Sequence, residues 1–148
     1  MTLPLGQYVR IGGVGKFLPA RVMDNHELER LVETSDEWIR KRTGIAERRI
    51  AAPEDTSASM AVEASRIALE RADIDAAALD LIIVSTGTPD HPGFPATASL
   101  VQEALGASRA GAFDVGAGCA AFGYGLVAGA QFVLSGAFRN VLVVGSDV

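Results

Sequence analysis

Apolar and polar residues form two kinds of pattern along this chain: continuous apolar runs and segments with helical spacing. Continuous apolar runs of strand length, typical of strands covered on both faces of a sheet, occupy residues 81–86 (LIIVST), 110–115 (AGAFDV) and 140–148 (NVLVVGSDV). The glycine-rich stretch YVRIGGVGKFL, residues 8–18, is predicted to form a fourth strand. Segments with helical spacing or helix-end signals separate these runs, at residues 24–32, 34–42, 55–72, 96–106 and 119–137.

Residues typical of helix ends bound several of these segments. Asp24 or Asn25 can accept a hydrogen bond from the free N–H groups of the first helix. A T-x-x-E capping box, Thr34–Glu37, predicts the start of the second helix. Gly106 and Gly136 are predicted to end the last two helices, because glycine takes the left-handed conformation of a helix C-terminus without steric cost.

The order β-α-β-α-β-α-β predicts the fold class. It favours an α/β protein with a mixed, mostly parallel sheet, covering helices and right-handed crossovers. With 148 residues the chain has the size of one ordinary domain. The sequence stops after a strand of the buried type, with no helix to cover it, so residues 1–148 are expected to form an incomplete domain.

Composition narrows the class of protein. The hydrophobic share of 49% and the charged share of 21% are those of a globular protein. The first residues do not resemble a signal peptide, and no apolar run reaches the roughly 18 residues of a membrane helix, so a soluble cytoplasmic protein without a membrane partner is expected. The net charge of −5 argues against a nucleic-acid partner. A single cysteine excludes an internal disulfide and a zinc site built from several cysteines, and no metal site is predicted.

Positive charge is concentrated in one segment of this acidic chain. Arg40, Lys41, Arg42, Arg48 and Arg49 lie within ten residues of each other. Such a run is often a solvated surface, but guanidinium groups also match the geometry of phosphate oxygens. The segment therefore either faces solvent or meets a phosphate or an acidic partner.

The single cysteine, Cys119, lies where an apolar strand leads into a predicted helix, within FDVGAGCAAFGYGL (residues 113–126). Free cysteine is often a small buried hydrophobe. At a helix N-terminus, however, unpaired N–H groups and the helix dipole favour the thiolate. The neighbouring glycines would leave room for a substrate carbonyl. From these residues alone both interpretations, structural residue and nucleophile, stay open.

Two observations complicate the nucleophile interpretation. The stretch GAGCAA, residues 116–121, also fits the G-x-G-x-x-A pattern of a dinucleotide site, with Asp147 available for a ribose hydroxyl. A nucleotide-dependent oxidoreductase is therefore an alternative. A nucleophilic cysteine usually works with a base, yet only His26, in a charged helix start, and His91, in a Pro/Gly-rich loop, are present. This shortage either weakens the case for an enzyme or places the base on a part of the protein beyond this chain.

Three separated motifs resemble β-ketoacyl-acyl-carrier-protein synthase III, a member of the thiolase superfamily. They are TSDEWIRKRTGIAERRIA (residues 34–51), AFDVGAGCAAFGYGL (112–126) and SGAFRNVLVVGSDV (135–148). The resemblance implies a thiolase-like fold of two similar α/β halves, of which this chain would be the N-terminal half without its fifth strand. The missing C-terminal half, on the same or a separate chain, would bring a histidine and an asparagine into the site.

The resemblance also implies an activity. It is the decarboxylative Claisen condensation of an acyl-coenzyme A primer with malonyl-acyl carrier protein, which initiates fatty acid synthesis and needs no cofactor. Cys119 would carry the acyl group, Trp38 and Arg42 would hold the adenine of coenzyme A, and Thr34 would lie near the same ligand. Phe94 would reach the acyl pocket of the partner subunit in a homodimer. This chain alone is expected to be inactive.

Two positions depart from the family pattern. The family's C-A-G-F reads CAAF here, so Ala121 adds a methyl group beside the nucleophile. The loop TPDHPGFP, residues 88–95, is one residue longer than the commonest form, which would displace Phe94. Both changes touch the implied acyl pocket. Related starter-unit ketosynthases of secondary metabolism share most of these motifs, so such an enzyme stays open as an alternative. A non-catalytic acyl-binding subunit also stays open, because this chain alone lacks two of the implied catalytic residues.

Overall fold

The computed structural model describes residues 8–148 of the chain. The expectation that no signal peptide opens the sequence concerns its first residues and lies largely outside this part. The chain divides into two compact units. The larger consists of the stretch up to Phe17 together with Thr56–Val148, and the smaller is Leu18–Asp55.

Five helices and five strands are formed by the described residues. None of these helices has the length and apolar character that crossing a membrane requires. In chain order the elements are β1 (Arg21–Asp24), α1 (Asn25–Glu29), α2 (Asp36–Thr43), β2 (Glu47–Ile50), α3 (Ser57–Ala72), β3 (Leu81–Ser85), α4 (Thr97–Leu105), β4 (Gly111–Val115), α5 (Ala121–Leu134) and β5 (Val141–Gly145), with single 3₁₀ turns at Ala76–Ala78 and Gly118–Ala120.

The larger unit is built on a three-stranded parallel sheet in the order β4-β3-β5. Successive strand residues point to opposite faces, and both faces are covered. Ile82 and Val84 of β3 belong to a buried cluster with residues of α3 and α4. Ile83 and Val143 point the other way, towards the glycines of α5. This arrangement confirms the prediction of an α/β unit whose central strand is buried on both sides, and all five residues of β3 are buried.

The smaller unit has a different architecture. Strands β1 and β2 pair antiparallel, with Arg21 opposite Ile50 and Asp24 opposite Glu47, and α1 and α2 lie between them in the chain. The sequence did not predict this pair of strands. Both are four residues long, largely polar and mostly exposed, so they lack the apolar pattern that marks a buried strand.

The strand predicted at residues 8–18 is wrong, because these residues form no strand pairing. Their glycines instead allow close contact with helix α3. A Cβ atom on Gly13 would lie 2.2 Å from the carbonyl oxygen of Ala68, and one on Gly15 would lie 2.0 Å from that of Ala64. Glycine is required here so that the segment can approach the backbone of the helix.

The predicted helix starts are partly confirmed. Asp24 is the N-cap of α1, since its side chain accepts a hydrogen bond from the Glu27 N–H at 2.7 Å. The predicted Thr34–Glu37 capping box is wrong by one residue. Ser35, in an extended conformation, is the N-cap of α2 and accepts from the Trp38 N–H at 3.1 Å.

The helix ends predicted from glycine are confirmed. Gly106 is the C-cap of α4 with a φ of 72°. Gly136, with a φ of 75°, follows Ser135, the C-cap of α5. Both are left-handed, which is the conformation that favours glycine at these positions.

Asp80 supports a prediction about stability and pH. Its carboxylate accepts from the N–H groups of Arg139 (2.8 Å) and Asn140 (3.0 Å), in the turn before β5. These donors, Asn140 first, hold the pKa of Asp80 below its ordinary value. A lowered folded pKa means that the contribution to stability is present above the unfolded value of about 3.9 and is lost as the pH falls through the folded pKa.

We therefore expect Asp80→Asn to be less stable than the unchanged protein at neutral pH, and the difference to shrink between about pH 5 and pH 2. Urea denaturation at a series of pH values measures this. Glu63→Gln, which removes an exposed carboxylate on α3, is the control and should shift the midpoint little. An Asp80→Asn difference that stayed constant with pH would contradict the role of these hydrogen bonds.

Candidate functional site

Cys119 lies between β4 and α5, in the 3₁₀ turn Gly118–Ala120, two residues before α5 begins at Ala121. The predicted helix therefore starts slightly later than expected, and the cysteine belongs to the turn that leads into it. Its side chain is exposed. This position excludes the interpretation of Cys119 as a buried apolar residue within this chain.

The surroundings of Cys119 are open. At Gly116 and Gly118, no atom lies within 4 Å of the position that a Cβ would take. Gly118 also has a φ of 53°, in the left-handed region that other residues rarely adopt. The first N–H groups of a helical turn have no partner within it. A substrate carbonyl can therefore approach the thiol, and backbone donors are available beside it.

Helix α5 holds this turn at the carboxyl end of the parallel sheet. The Ser85 hydroxyl, at the end of β3, donates to the carbonyl oxygen of Ala121 at 3.1 Å. Gly125 and Gly129 let the helix lie close to the sheet, since a Cβ on Gly125 would be only 2.7 Å from Ser85 Oγ. Sites of α/β proteins commonly lie at this end of the strands. Cys119 thus has a fixed support.

The described chain brings no base to the thiol. No side chain of residues 8–148 forms a hydrogen bond with the sulfur of Cys119. His26 is exposed on α1, where its Nδ1 lies 3.3 Å from Glu29 Oε2. His91 is exposed in the loop after β3. The shortage of a base expected from the sequence therefore holds for this part of the molecule.

The geometry does not favour the dinucleotide alternative. The carboxylate of Asp147 accepts hydrogen bonds from the Gly87 N–H at 2.7 Å and from the Thr86 hydroxyl at 3.2 Å. It fixes the loop after β3 to the end of β5 and is already engaged there. In a dinucleotide site with the G-x-G-x-x-A pattern, Asp147 would bind a ribose hydroxyl. In this chain it has a structural role instead.

Phe94 projects from the loop of residues 88–95 and is 87% exposed. The loop itself is anchored. The Asp90 carboxylate accepts from the Ala58 N–H at the start of α3 (3.0 Å), and the Asp90 N–H donates to the Thr97 hydroxyl (3.3 Å). An exposed phenylalanine on an anchored loop is available for contact with another surface.

The other predicted site residues belong to the smaller unit. Arg42 lies over the ring of Trp38, with its guanidinium carbon 5.6 Å from the ring centroid, within the range of a cation–π contact. Trp38 is 56% exposed. Thr34 and Trp38 line one shallow surface concavity of about 280 Å³ with Glu33 and Ser35. The structure thus brings Thr34, Trp38 and Arg42 together on one side of α2.

Part of the positive segment is engaged in internal contacts. The Arg40 Nε donates to both oxygens of Asp36, at 2.8 and 2.9 Å. Arg48 donates to the carbonyl oxygen of Met23 at 3.0 Å and to the side chain of Asn25. Arg49 donates to the carbonyl oxygen of Pro19 at 3.0 Å. These three arginines therefore have structural partners, which reduces their part in the predicted contact with phosphates or an acidic protein.

Comparisons with known proteins identify the family. A family model described as 3-oxoacyl-[acyl-carrier-protein (ACP)] synthase III matches residues 113–148, which include Cys119. β-Ketoacyl-[acyl-carrier-protein] synthase III 1 of Bacillus cereus is 55% identical over 139 residues, which cover 94% of this chain and 44% of the relative. The chain belongs to the β-ketoacyl-acyl-carrier-protein synthase III family. It spans less than half the length of the curated relatives that it matches.

Solved structures of synthases related to this family confirm the fold. A 3-oxoacyl-[acyl-carrier-protein] synthase III from Aquifex aeolicus VF5 is 48% identical with a TM-score of 0.89, covering 93% of this chain and 44% of that one. The priming β-ketosynthase of the R1128 polyketide pathway is 41% identical with a TM-score of 0.90, covering 99% of this chain and 44% of that one. The chain thus has the α/β thiolase-like fold and corresponds to the N-terminal half of that fold.

Proposed function

We propose that this chain is the nucleophile-bearing part of a β-ketoacyl-acyl-carrier-protein synthase III that condenses an acyl-coenzyme A primer with malonyl-acyl carrier protein. The observation that carries the proposal is the exposed Cys119 in an open turn at a helix N-terminus, inside the segment that matches the family. The C-terminal half, which the relatives contain and this chain lacks, would supply the histidine and asparagine of the site. The 148 residues would then be an incomplete domain, inactive without that half.

The first half-reaction uses this chain's own atoms. The thiolate of Cys119 attacks the carbonyl carbon of the primer thioester, and the bond from that carbon to the coenzyme A sulfur breaks. Coenzyme A leaves as a thiolate and takes up the proton that Cys119 lost. The Cys119 N–H, at the start of its turn, would donate to the oxyanion of the tetrahedral intermediate. The product is an acyl-cysteine.

The second half-reaction forms the new carbon–carbon bond. Malonyl-acyl carrier protein loses CO2, and the electron pair left on its α-carbon attacks the acyl carbonyl. The bond to the Cys119 sulfur then breaks, so the thiolate is restored and the β-ketoacyl group stays on the carrier protein. Donors from the C-terminal half would stabilise the enolate that forms on loss of CO2.

Coenzyme A would bind through its adenine at Trp38. A flat ring stacked on both sides needs about 7 Å between its neighbours, twice the contact distance of carbon atoms. The 5.6 Å between Arg42 and the Trp38 centroid is smaller than that. Arg42 is exposed, so it would swing outward to admit the adenine and close over it. Thr34, on the same concavity, would contact the same ligand.

This adenine site yields a direct prediction. Trp38 is the single tryptophan of the chain, and coenzyme A is expected to quench its fluorescence. Trp38→Phe identifies the signal that comes from Trp38, because that signal is lost in this variant. We expect Trp38→Ala to raise the Kd of coenzyme A, measured by titration calorimetry, about tenfold, since stacking of a base on an aromatic ring contributes about 1–3 kcal/mol. Pantetheine, which lacks the adenine, is the control and should leave the fluorescence unchanged. Equal quenching by pantetheine would contradict adenine stacking.

A second candidate, a starter-unit ketosynthase, is favoured by the match to the R1128 priming β-ketosynthase over 99% of this chain. The chemistry at Cys119 would be the same, and the primer would differ. Phe94, exposed on its anchored loop, would enter the acyl pocket of the partner in a homodimer and limit the primer length. Competition between acetyl- and longer acyl-coenzyme A for acylation, measured by intact mass, separates the two candidates.

A further inference from the structure

The smaller unit contains one polar side chain that is almost completely enclosed. Among its described residues, Asn25 is only 1% exposed, although it lies between two exposed residues, Asp24 and His26, at the start of α1. A buried amide without partners would cost free energy, so its hydrogen bonds indicate what it holds in place. Because Asp24 caps α1, the side chain of Asn25 is free for other contacts.

The Asn25 amide joins both ends of α2. Its Nδ2 donates to the Asp36 carboxylate at 2.8 Å, at the first residue of the helix. The same nitrogen donates to the carbonyl oxygen of Ile45 at 2.9 Å, just after the Gly44 C-cap. A single buried group therefore fixes the start and the end of a helix of only eight residues.

Arg48 fixes Asn25 in turn. Its Nη2 donates to Asn25 Oδ1, and its Nη1 donates to the carbonyl oxygen of Met23 at 3.0 Å. The planar guanidinium thus binds two acceptors at once, a geometry that lysine does not reproduce. The chain of contacts runs from β2, through the buried amide, to both ends of α2.

Helix α2 carries the adenine site. Trp38 lies in its first turn and Arg42 one turn later, so the two side chains face each other only while α2 stays helical between its two ends. Asp36 also keeps Arg40 folded back along the helix with two hydrogen bonds. The Asn25 amide, and after it Arg40, hold the pKa of Asp36 below its ordinary value, which keeps this carboxylate charged.

We propose that Asn25 and Arg48 are positioning residues for the coenzyme A adenine, because they hold both ends of α2, the helix that carries Trp38 and Arg42. The inference rests on the proposed function, since it concerns the ligand of that same site. With α2 already fixed, the Arg42 side chain moves on binding but the helix does not have to be ordered by the ligand, so less conformational freedom is lost. Loosening α2 should therefore weaken coenzyme A binding even though neither residue touches the ligand.

Arg48→Ala and Arg49→Ala form a matched pair. The two arginines are neighbours on β2 and carry the same charge, but Arg49 is exposed and donates to the carbonyl oxygen of Pro19 instead. Coenzyme A would be titrated against Trp38 fluorescence well below the melting temperature, with circular dichroism to confirm folding. We expect Arg48→Ala to raise the Kd about five- to tenfold and Arg49→Ala to change it less than about twofold.

Arg48→Lys keeps the charge but can serve only one of the two acceptors, so an intermediate Kd is expected. If Arg48→Ala does not fold, Arg48→Lys serves as the test variant in its place. In the active protein, the KM for acyl-coenzyme A should rise in Arg48 variants while the rate at saturation changes less than about twofold.

Two results would overturn these conclusions separately. If coenzyme A quenches Trp38 in the unchanged protein, and folded Arg48→Ala or Arg48→Lys binds it as tightly as Arg49→Ala does, the positioning role is wrong and the proposed function stands. If coenzyme A causes no quenching of Trp38 in the unchanged protein, the adenine site itself is wrong and the positioning role falls with it.

Discussion

Replacement of Cys119 by alanine is expected to abolish transfer of an acyl group from acyl-coenzyme A to the polypeptide. The step requires a nucleophile that forms a covalent bond with the acyl carbon, and the chain contains no second thiol. Intact mass spectrometry after incubation with acetyl- or longer acyl-coenzyme A measures the result. With the proposed C-terminal half present, the unchanged protein should gain one acyl group in place of one hydrogen, and Cys119→Ala should gain nothing.

The control for this experiment is coenzyme A binding at Trp38. Cys119 and Trp38 belong to different units, so quenching of Trp38 should persist in Cys119→Ala and show that the variant binds the ligand. Circular dichroism would show separately that the larger unit is folded. An adduct that survived the substitution would place the acyl group on another side chain. Quenching without any adduct in the unchanged protein, again with the C-terminal half present, would instead support a non-catalytic acyl-binding subunit.

The buried strands and the longer helices were predictable because their signals are local. The run LIIVST has no polar residue before Ser85, as a strand covered on both faces requires. The end of α4 was predictable from Gly106, since the left-handed C-cap conformation favours that residue by itself. In these elements the burial pattern and the local conformational preference point to the same structure.

Contacts between distant parts of the chain were not predictable. Residues 8–18 have the apolar content of a strand, but Gly13 and Gly15 serve a close approach to α3, some fifty residues away. The sequence of β2 is typical of a positively charged surface segment, because two of its four residues are arginines. Whether Thr34 or Ser35 caps α2 depends on a single residue of register, and both are good N-cap residues.

The candidate site shows the same division. The resemblance predicted site roles for Cys119 and Trp38 because their motifs are continuous in the sequence. Asn25 had no such signal, since an asparagine in a charged helix start is usually a cap or a solvated residue. Its partners Ile45 and Arg48 lie 20 and 23 positions further along the chain. Only the fold brings this amide and the ends of α2 together.

Gly125→Ala is expected to destabilise the protein although alanine is the better helix former. The new Cβ would lie 2.7 Å from Ser85 Oγ and 3.1 Å from a methyl group of Val143. Ser85 is buried and bonded to the carbonyl oxygen of Ala121, so it cannot turn aside without losing that bond. Helix α5 must therefore move away from the sheet, at a net cost of about 1–3 kcal/mol.

Gly123→Ala, two positions earlier on the same helix, separates packing from helix propensity. No atom lies within 4 Å of its Cβ position, so this variant should keep or gain stability, by up to about 1 kcal/mol. Thermal unfolding of both variants measures the difference, and a lowered melting temperature is expected for Gly125→Ala alone. Acylation of Cys119 should also slow in Gly125→Ala, because the displaced helix carries the N-terminal turn with it. Equal melting temperatures for the two variants would mean that close packing of α5 on the sheet does not set the position of the nucleophile.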